Sequence, residues 1–347
     1  MEKLELKIER FLRTGQGSFD ALALELFAYQ FECNTPYRAF CEAQQRTPSE
    51  VKDWLEIPAV PIQAFKGGAP LTTFSCERAA AVFHSSSTTG QTPSQHYLKT
   101  LTFYETALKS GFSAWIAPSE KKWPFCLLVP SPGEAPHSSL TWMLDVVMRQ
   151  FGGAGSGYFI QRGLLDDWRL SRMLARAQTD GHPVVLLGTT LAFLAFFEQC
   201  SKQNKTFRLP IGSRLMDTGG MKTQKRDISR TEFVEQVERF FGIPEDACLN
   251  EYGMCEMSSQ FYACGTSSRM QGPPWVRTQV IDPVTGNAVG PGESGLLRHF
   301  DLANVDSVMA IQTEDVGEWR DQGFVLKGRA TGAELKGCSL AAEAYFK

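Results

Sequence analysis

Apolar and polar positions change their period along the chain, and the changes divide it into zones. Residues 1–55 repeat apolar positions at helical spacing, with Ser18 and Asp20 as a cap ahead of ALALELFAYQF. Thr47-Pro48-Ser49-Glu50 has the form of a further helix start with proline in its first turn. The next stretch, IPAVPIQAFKGG, is punctuated by proline and predicts extended chain. A short apolar run from Ala79 to His84 leads into a polar loop, SSSTTGQTPS, and a helical pattern follows from about Leu101 to Ile116. From there strand-like runs alternate with helical ones. FCLLV (125–129) reads as a strand stopped by Pro130, and Ser139 to Gln150 as a helix ending at Gly152-Gly153. A helix over Asp166–Gln178, a buried strand over His182–Leu187 and a helix over Leu191–Gln199 come next. Arg214–Asp217 is a short strand ending at Gly219-Gly220, and Arg230–Phe241 a helix closed by Gly242. This alternation predicts an α/β fold with a largely parallel sheet.

After about residue 270 turn residues crowd in: Gly272-Pro273-Pro274, Asp282-Pro283, Thr285-Gly286-Asn287 and Gly290-Pro291-Gly292. Between them lie WVRTQVI, GLLRHF, SVMAIQ and GFVLKG, which predict a small β-rich subdomain of hairpins. The expected organisation is therefore residues 1–270 as α/β subdomains with a helical N-terminus, 271–330 as the β-rich subdomain, and 331–347 as a tail.

Composition narrows the partners. Hydrophobic residues make up 43%, charged 21% and aromatic 11% of the 347 residues, so the chain is globular, neither disordered nor fibrous. Net charge is −3 and there is no basic stripe; Lys121-Lys122 and Lys225-Arg226 stand as isolated pairs, which argues against a nucleic-acid partner. No apolar run approaches the ~18 residues of a membrane span, since Val184–Phe197 is interrupted by Gly188-Thr189-Thr190. The opening MEKLELKIERFL carries acids among its apolar residues, unlike a secretory signal, so a cytoplasmic location is expected. Nine cysteines, an odd number without a C-x-x-C pair, predict free thiols in a reducing compartment.

Three motifs carry candidate chemistry. Ser85-Ser86-Ser87-Thr88-Thr89-Gly90 follows a strand, where hydroxyls and backbone N–H groups can cradle phosphate oxygens. Asn250-Glu251-Tyr252-Gly253-Met254-Cys255-Glu256 joins an aromatic ring, which can stack on a purine, to a carboxylate able to hold Mg²⁺. Thr313-Glu314-Asp315 places an aspartate where a strand end can accept hydrogen bonds from a ribose diol, and Arg329 follows fourteen positions later. Each has a plainer reading, as a Ser/Thr turn, a helix start with an exposed Glu, or a surface Asp-x-Gly turn. The glycines at 152, 153, 155 and 157 lack the register of a dinucleotide fingerprint, and no Ser-His-Asp pattern sits in a nucleophile elbow. His84, ahead of the Ser/Thr loop, and His137, in SPGEAPHSS, are equally candidates for structural roles.

The order of these pieces, a Ser/Thr-Gly loop, a Gly-Gly turn, Y-G-x-x-E, T-x-D and G-R, resembles the adenylate-forming superfamily of acyl-CoA synthetases, luciferases and peptide-synthetase adenylation domains. The resemblance spans about residues 82–340. It implies an α/β fold of layered subdomains and the use of ATP and Mg²⁺ to turn a carboxylic acid into its acyl-AMP. It further implies that Ser85, Ser86, Ser87, Thr88, Thr89 and Gly90 embrace the β- and γ-phosphates, with Thr88 and Thr89 acting in catalysis. Gly219, Gly220 and Met221 would line the adenine and Tyr252 would stack on it beside Gly253. Glu256 would act in catalysis as the magnesium ligand, Asp315 would bind the ribose, and Arg329 would complete the nucleotide contacts. The chain departs from the usual pattern at Ser87, where glycine is the rule, at Ser94, where lysine is, and at Cys255, where threonine is.

Most superfamily members continue into a mobile C-terminal domain, which this chain, ending at Lys347, is expected to lack. Its ending, GRATGAELKGCSLAAEAYFK, resembles the LuxE-type acyl-protein synthetases, in which a cysteine near the C-terminus takes the acyl group as a thioester and hands it to a reductase subunit. The matching residue is Cys338. It lies nine residues beyond Arg329, a tether of up to about 30 Å at ~3.3–3.6 Å per residue, with Lys336 to favour its thiolate and Gly337 leaving access open. The resemblance therefore implies a fatty or other carboxylic acid as substrate, Cys338 as acceptor, and an acyl-accepting reductase or transferase as partner. Two other readings remain: a ligase using coenzyme A or an acyl-carrier protein as an external thiol, and a non-catalytic nucleotide-binding scaffold.

Overall fold

The structure, a computed structural model, describes residues 2–67, 69–85, 92–116, 122–219 and 228–330. It opens on helices α1 (Glu2–Thr14), α2 (Phe19–Cys33) and α3 (Thr35–Ala43). Ser18 caps α2 by accepting from the Ala21 amide, and Asn34 both ends α2 and caps α3. The stretch offered as a helix start at Thr47 instead closes one turn, in which Glu50 accepts from the Thr47 amide and hydroxyl. It goes no further because Asp53 begins its own capping box over the short 3₁₀ turn Trp54–Glu56. IPAVPIQAFKGG is extended only at β1 (Val60–Pro61), and Ile62–Lys66 then winds into a 3₁₀ turn that buries Ile62, Ala64 and Phe65.

The hairpin β2 (Ala81–His84) and β3 (Gln95–Leu98) flanks the Ser/Thr loop and leads to α4 (Thr102–Trp115). Next come β4 (Phe125–Leu128), α5 (Ser139–Phe151) and the short pieces β5 (Gly157–Tyr158), β6 (Ile160–Gln161) and β7 (Leu164–Leu165). α6 (Asp167–Asp180), β8 (Val185–Thr189), α7 (Thr190–Lys202), β9 (Arg214–Thr218), α8 (Arg230–Phe241), β10 (Cys248–Tyr252), β11 (Phe261–Cys264) and β12 (Arg269–Met270) complete this part. The sheet order is β11-β10-β9-β8-β4-β5, parallel except for β11. Both faces are covered, which is why these strands read as unbroken apolar runs. Cys126, Leu186, Leu215 and Cys248 pack beneath α6, α7 and α8, while Leu127, Leu187, Met216 and Leu249 pack beneath α4 and α5. Helix α8 stops where Gly242 turns left-handed at φ 68°.

The second sheet is antiparallel, in the order β12-β16-β15-β14-β13, built on β13 (Val276–Ile281), β14 (Ser294–Asp301), β15 (Ala310–Arg320) and β16 (Gly323–Arg329). β1 adds to it in parallel beside Ile311 and Gln312. The N-terminal helices share its core: Phe11, Leu26, Phe27 and Tyr37 pack with Leu297, Phe300, Val308 and Ile311. Buried Gln30 pins α2 there, donating to the Asn304 carbonyl at 2.7 Å and accepting from the Met309 amide at 3.0 Å. One sequence expectation needs correcting: Thr313–Asp315 lies in the middle of β15, not at a strand end. The ladder continues past it on both sides, with a bulge at Val316/Gly317 where a side chain at 317 would strike Leu297.

The two sheets meet at the end of β10. Successive side chains of a strand point to opposite faces. Tyr252 therefore enters the core of the second sheet, while Leu249 and Glu251 face the α4–α5 side.

Candidate active site

Asp315 and Arg329 stand directly opposite each other on β15 and β16, with Arg329 Nε 3.4 Å from Asp315 Oδ1. The Tyr252 hydroxyl donates to Asp315 Oδ2 at 2.8 Å. Behind it, His299 Nε2 lies 3.4 Å from the Tyr252 oxygen, and His299 Nδ1 lies 2.9 Å from Thr278 Oγ1. Burial holds the His299 pKa down to about 3, so the ring is neutral at physiological pH. Burial raises the Asp315 pKa against the opposing pull of Tyr252 and Arg329. The Arg329 side chain is 75% exposed, so a carboxylate of fixed orientation stands beside a guanidinium that faces solvent.

At the end of β10 the chain must turn sharply, and Gly253 allows it: a Cβ there would come within 2.6 Å of Glu251 Oε1. The turn delivers Glu256, only 2% exposed, whose pKa is raised by burial. The Ser94 hydroxyl lies beside its carboxyl, out of hydrogen-bonding geometry, and the charges of Lys66 and Arg329 act on it from further away. Asp301 anchors the segment that follows. It accepts from the Ser258 amide at 3.0 Å, the Ser259 amide and hydroxyl at 2.8 Å each, and the Ala303 amide at 2.9 Å. Asn304 donates to the Glu256 carbonyl at 2.8 Å, so the Glu256 backbone is held by the second sheet. Its neighbour Cys255 is buried, which lifts its thiol pKa well above the ordinary value and keeps it a thiol. The Cys255 carbonyl accepts from His96 Nδ1 at 2.9 Å, which leaves His96 Nε2 as a bare, buried acceptor.

On the other face of β10 the Thr218 hydroxyl donates to Glu251 in a short hydrogen bond. Burial carries the Glu251 pKa up to about 7, Thr218 opposing and Asp217 adding to the rise. Asp217 is itself held by Arg230, by the Thr190 hydroxyl at 2.8 Å and by Asn250 at 3.1 Å.

The structure thus brings Tyr252, Gly253, Glu256, Asp315 and Arg329 to one joint between the sheets. Ser85 closes the base of the Ser/Thr loop: its hydroxyl accepts from the Ser94 amide at 2.8 Å and its amide donates to the Ser94 carbonyl at 3.1 Å. Ser94 lies beside Glu256, so the described base of the loop stands at the same joint. Gly219 follows β9 with φ 99°. Ser86, Ser87, Thr88, Thr89, Gly90, Gly220, Met221 and Cys338 lie outside the described residues. His84 and His137 stack on each other, ring centres 4.4 Å apart. Sequence reasoning missed His299, Asp301, Asn304 and His96, whose partners are distant in the chain. Among the described residues Glu256 suits a metal by its chemistry: a buried carboxylate without a close counter-ion beside the Ser94 hydroxyl is a hard-oxygen set, and Mg²⁺ commonly takes one or two carboxylates and completes its shell with phosphates. No cluster of three or more His, Cys, Asp or Glu suited to a metal exists among the described residues.

A family model described as "Acyl-protein synthetase, LuxE" matches residues 15–346. The chain belongs to this family. Among the relatives of this LuxE-family chain, the long-chain-fatty-acid–luciferin-component ligase of Aliivibrio fischeri is 22% identical over 306 residues, covering 86% of this chain and 78% of the relative. The ligase of the same name from Vibrio harveyi is 21% identical over 337 residues, covering 92% and 86%. Among solved structures, an open conformation of 2-hydroxyisobutyryl-CoA ligase in complex with 2-HIB-AMP and CoA superposes with a TM-score of 0.66 at 15% identity, over 89% of this chain and 69% of that one. ATP-bound MatB from Rhodopseudomonas palustris gives a TM-score of 0.53 at 15% identity, over 74% and 49%. The fold is that of adenylate-forming enzymes, as the motif order implied. Family and fold together support activation of an acid through its acyl-AMP. No helix among the described residues is long and apolar enough to cross a membrane.

Proposed function

We propose that this chain uses ATP to activate a long-chain fatty acid as acyl-AMP and then carries the acyl group on the thiol of Cys338. The observation that carries the reading is the convergence of Asp315, Tyr252, Arg329 and Glu256 at the joint of two sheets in an adenylate-forming fold. The fatty-acid class rests on the names of its relatives.

A carboxylate is a poor electrophile, so the task is to bring two anions together and hold them in line. Asp315, its orientation set by Tyr252, accepts from the ribose hydroxyls, and exposed Arg329 reaches the nucleotide from β16. Tyr252, its ring packed against Phe261, His299 and Phe324, serves by orienting Asp315 and not by stacking on the base. Gly219, Gly220 and Met221 flank the adenine, and the loop from Ser85 to Gly90, Thr88 and Thr89 included, takes the terminal phosphates. Glu256 is the residue that would hold Mg²⁺, which when bound supplies neutralising charge at the phosphates. A substrate carboxylate oxygen bonds to the α-phosphorus, the bond to the β-phosphate oxygen breaks, and pyrophosphate leaves. The Cys338 thiolate then bonds to the acyl carbon, the carbon–oxygen bond to AMP breaks, and AMP leaves, the thiol proton having passed to solvent. The thioester awaits an acyl-accepting reductase or transferase, and residues 331–347 serve as the segment that bears it.

The test is AMP release from Mg-ATP and a panel of fatty acids without coenzyme A. One AMP and one pyrophosphate per chain, followed by arrest until hydroxylamine restarts turnover, is the expected result. Arrest relieved by coenzyme A or a carrier protein alone would shift the acceptor to an external thiol. Absence of pyrophosphate with every acid would overturn the reading.

A further inference from the structure

The loop from Ser85 to Ser94 contains no lysine or arginine, so it brings no positive charge to a nucleotide that carries about four negative ones. A cation must come from elsewhere, and Arg329 supplies one only at the ribose end, where it pairs with Asp315. The segment from Val60 to Lys66 points to the source. It is strapped to the site at three places. β1 runs beside Ile311 and Gln312 of β15. Gln63 then donates to Glu314 in a short hydrogen bond, one residue before Asp315. Phe65, 4% exposed, sets its ring edge-on to His96 at 6.3 Å and 89°, and His96 in turn holds the Cys255 carbonyl, one residue before Glu256. Lys66 follows directly and is half-buried. It takes part in none of the close ion pairs found among the described residues, although its charge is felt at Glu256. Lys66 thus ends an anchored segment without a close ion pair among the described residues, a cation available to an incoming anion.

We propose that Lys66 is a cationic residue of the adenylation site, delivered by the strap on β15 to the phosphates that enter beside Glu256. It neutralises charge there as the bond to pyrophosphate breaks. Its ammonium and the Glu256 carboxylate then frame the reacting phosphate from two sides, one directly and one through the cation it would hold. The inference rests on the acid-activating reading given above. A plainer role is a solvated lysine at the end of a 3₁₀ turn, with Phe65 alone doing the anchoring.

Lys66→Met removes the charge and keeps an unbranched stem, and Lys66→Arg keeps the charge. Acid-dependent pyrophosphate release would be followed for each, with thermal melting beside it. The expected result for Lys66→Met is a fall in the adenylation rate of about 10²–10³-fold, the loss usual for one preorganised charge-stabilising group, with the acid KM and the melting temperature unchanged. Lys66→Arg should recover at least a tenth of the wild-type rate. A Lys66→Met rate within threefold of wild type would overturn the proposal. So would equal losses in both variants accompanied by lowered melting temperatures, since that pattern marks a structural part. Wild-type protein that releases no pyrophosphate with any acid would sink the activation reading itself, and this inference with it.

Discussion

Glu251 offers a sharp electrostatic test, because Gln in its place keeps the shape and the acceptor for Thr218 but cannot ionise. Burial is the main cause of its pKa of about 7, against an ordinary 4.5. The sign follows from where the proton sits. Between these two values the folded chain holds a proton that the unfolded chain has released. The contribution is therefore fully present below about pH 4.5 and is lost as pH rises through about 7. At about 1.4 kcal/mol per pH unit, that amounts to roughly 3 kcal/mol, of which roughly 2 kcal/mol falls between pH 5 and 8. Urea unfolding of wild type and Glu251→Gln at half-unit steps across that range isolates it, since every other titrating group cancels in the difference. The variant should gain on wild type by roughly 2 kcal/mol from pH 5 to 8, with the gain levelling off above pH 7. A difference that stays flat within about 0.5 kcal/mol would refute the burial argument and imply that Glu251 is solvated or newly paired.

Two further outcomes follow from the site. Asp315→Ala should raise the KM for ATP about 10–100-fold, the loss of one or two charge-assisted hydrogen bonds, while leaving the KM for the acid unchanged in pyrophosphate exchange; an unchanged ATP KM would remove Asp315 from the nucleotide site. Asp301→Ala strands donors that now converge on one buried carboxylate, and should cost about 3–5 kcal/mol in urea unfolding; a loss below about 1 kcal/mol would show that the Ser258–Ser259 segment is held by something else.

Local signals survived translation into structure where the partner is near in the chain. Ser18 and Gly242 mark helix ends by hydrogen bonding and backbone freedom that need only a few neighbouring residues, and both sit where the pattern put them. The parallel sheet was legible because burial on both faces leaves unbroken apolar strands. Thr47 failed as a helix start because Asp53 competes for the following residues with a cap of its own. Asp315 was misplaced at a strand end because a bulge and a close-packed glycine let β15 run on, and neither announces itself in composition. The second layer of the site was illegible for a different reason. His96 and Cys255 are 159 residues apart, and Tyr252 and Asp315 63 apart. A lone histidine or aspartate carries no periodicity that names such a partner, and only the meeting of the two sheets supplies it. Lys66 is the extreme case, since it stands beside prolines and glycines that read as plain extended chain.

The most direct test of the proposed chemistry is the intact mass of the protein after incubation with Mg-ATP and mixed medium- and long-chain fatty acids, wild type beside Cys338→Ser. Wild type should gain a single acyl mass that hydroxylamine removes, and Cys338→Ser should gain none. An equal gain in both proteins, or no gain in wild type while AMP is still released, would contradict a thioester on Cys338.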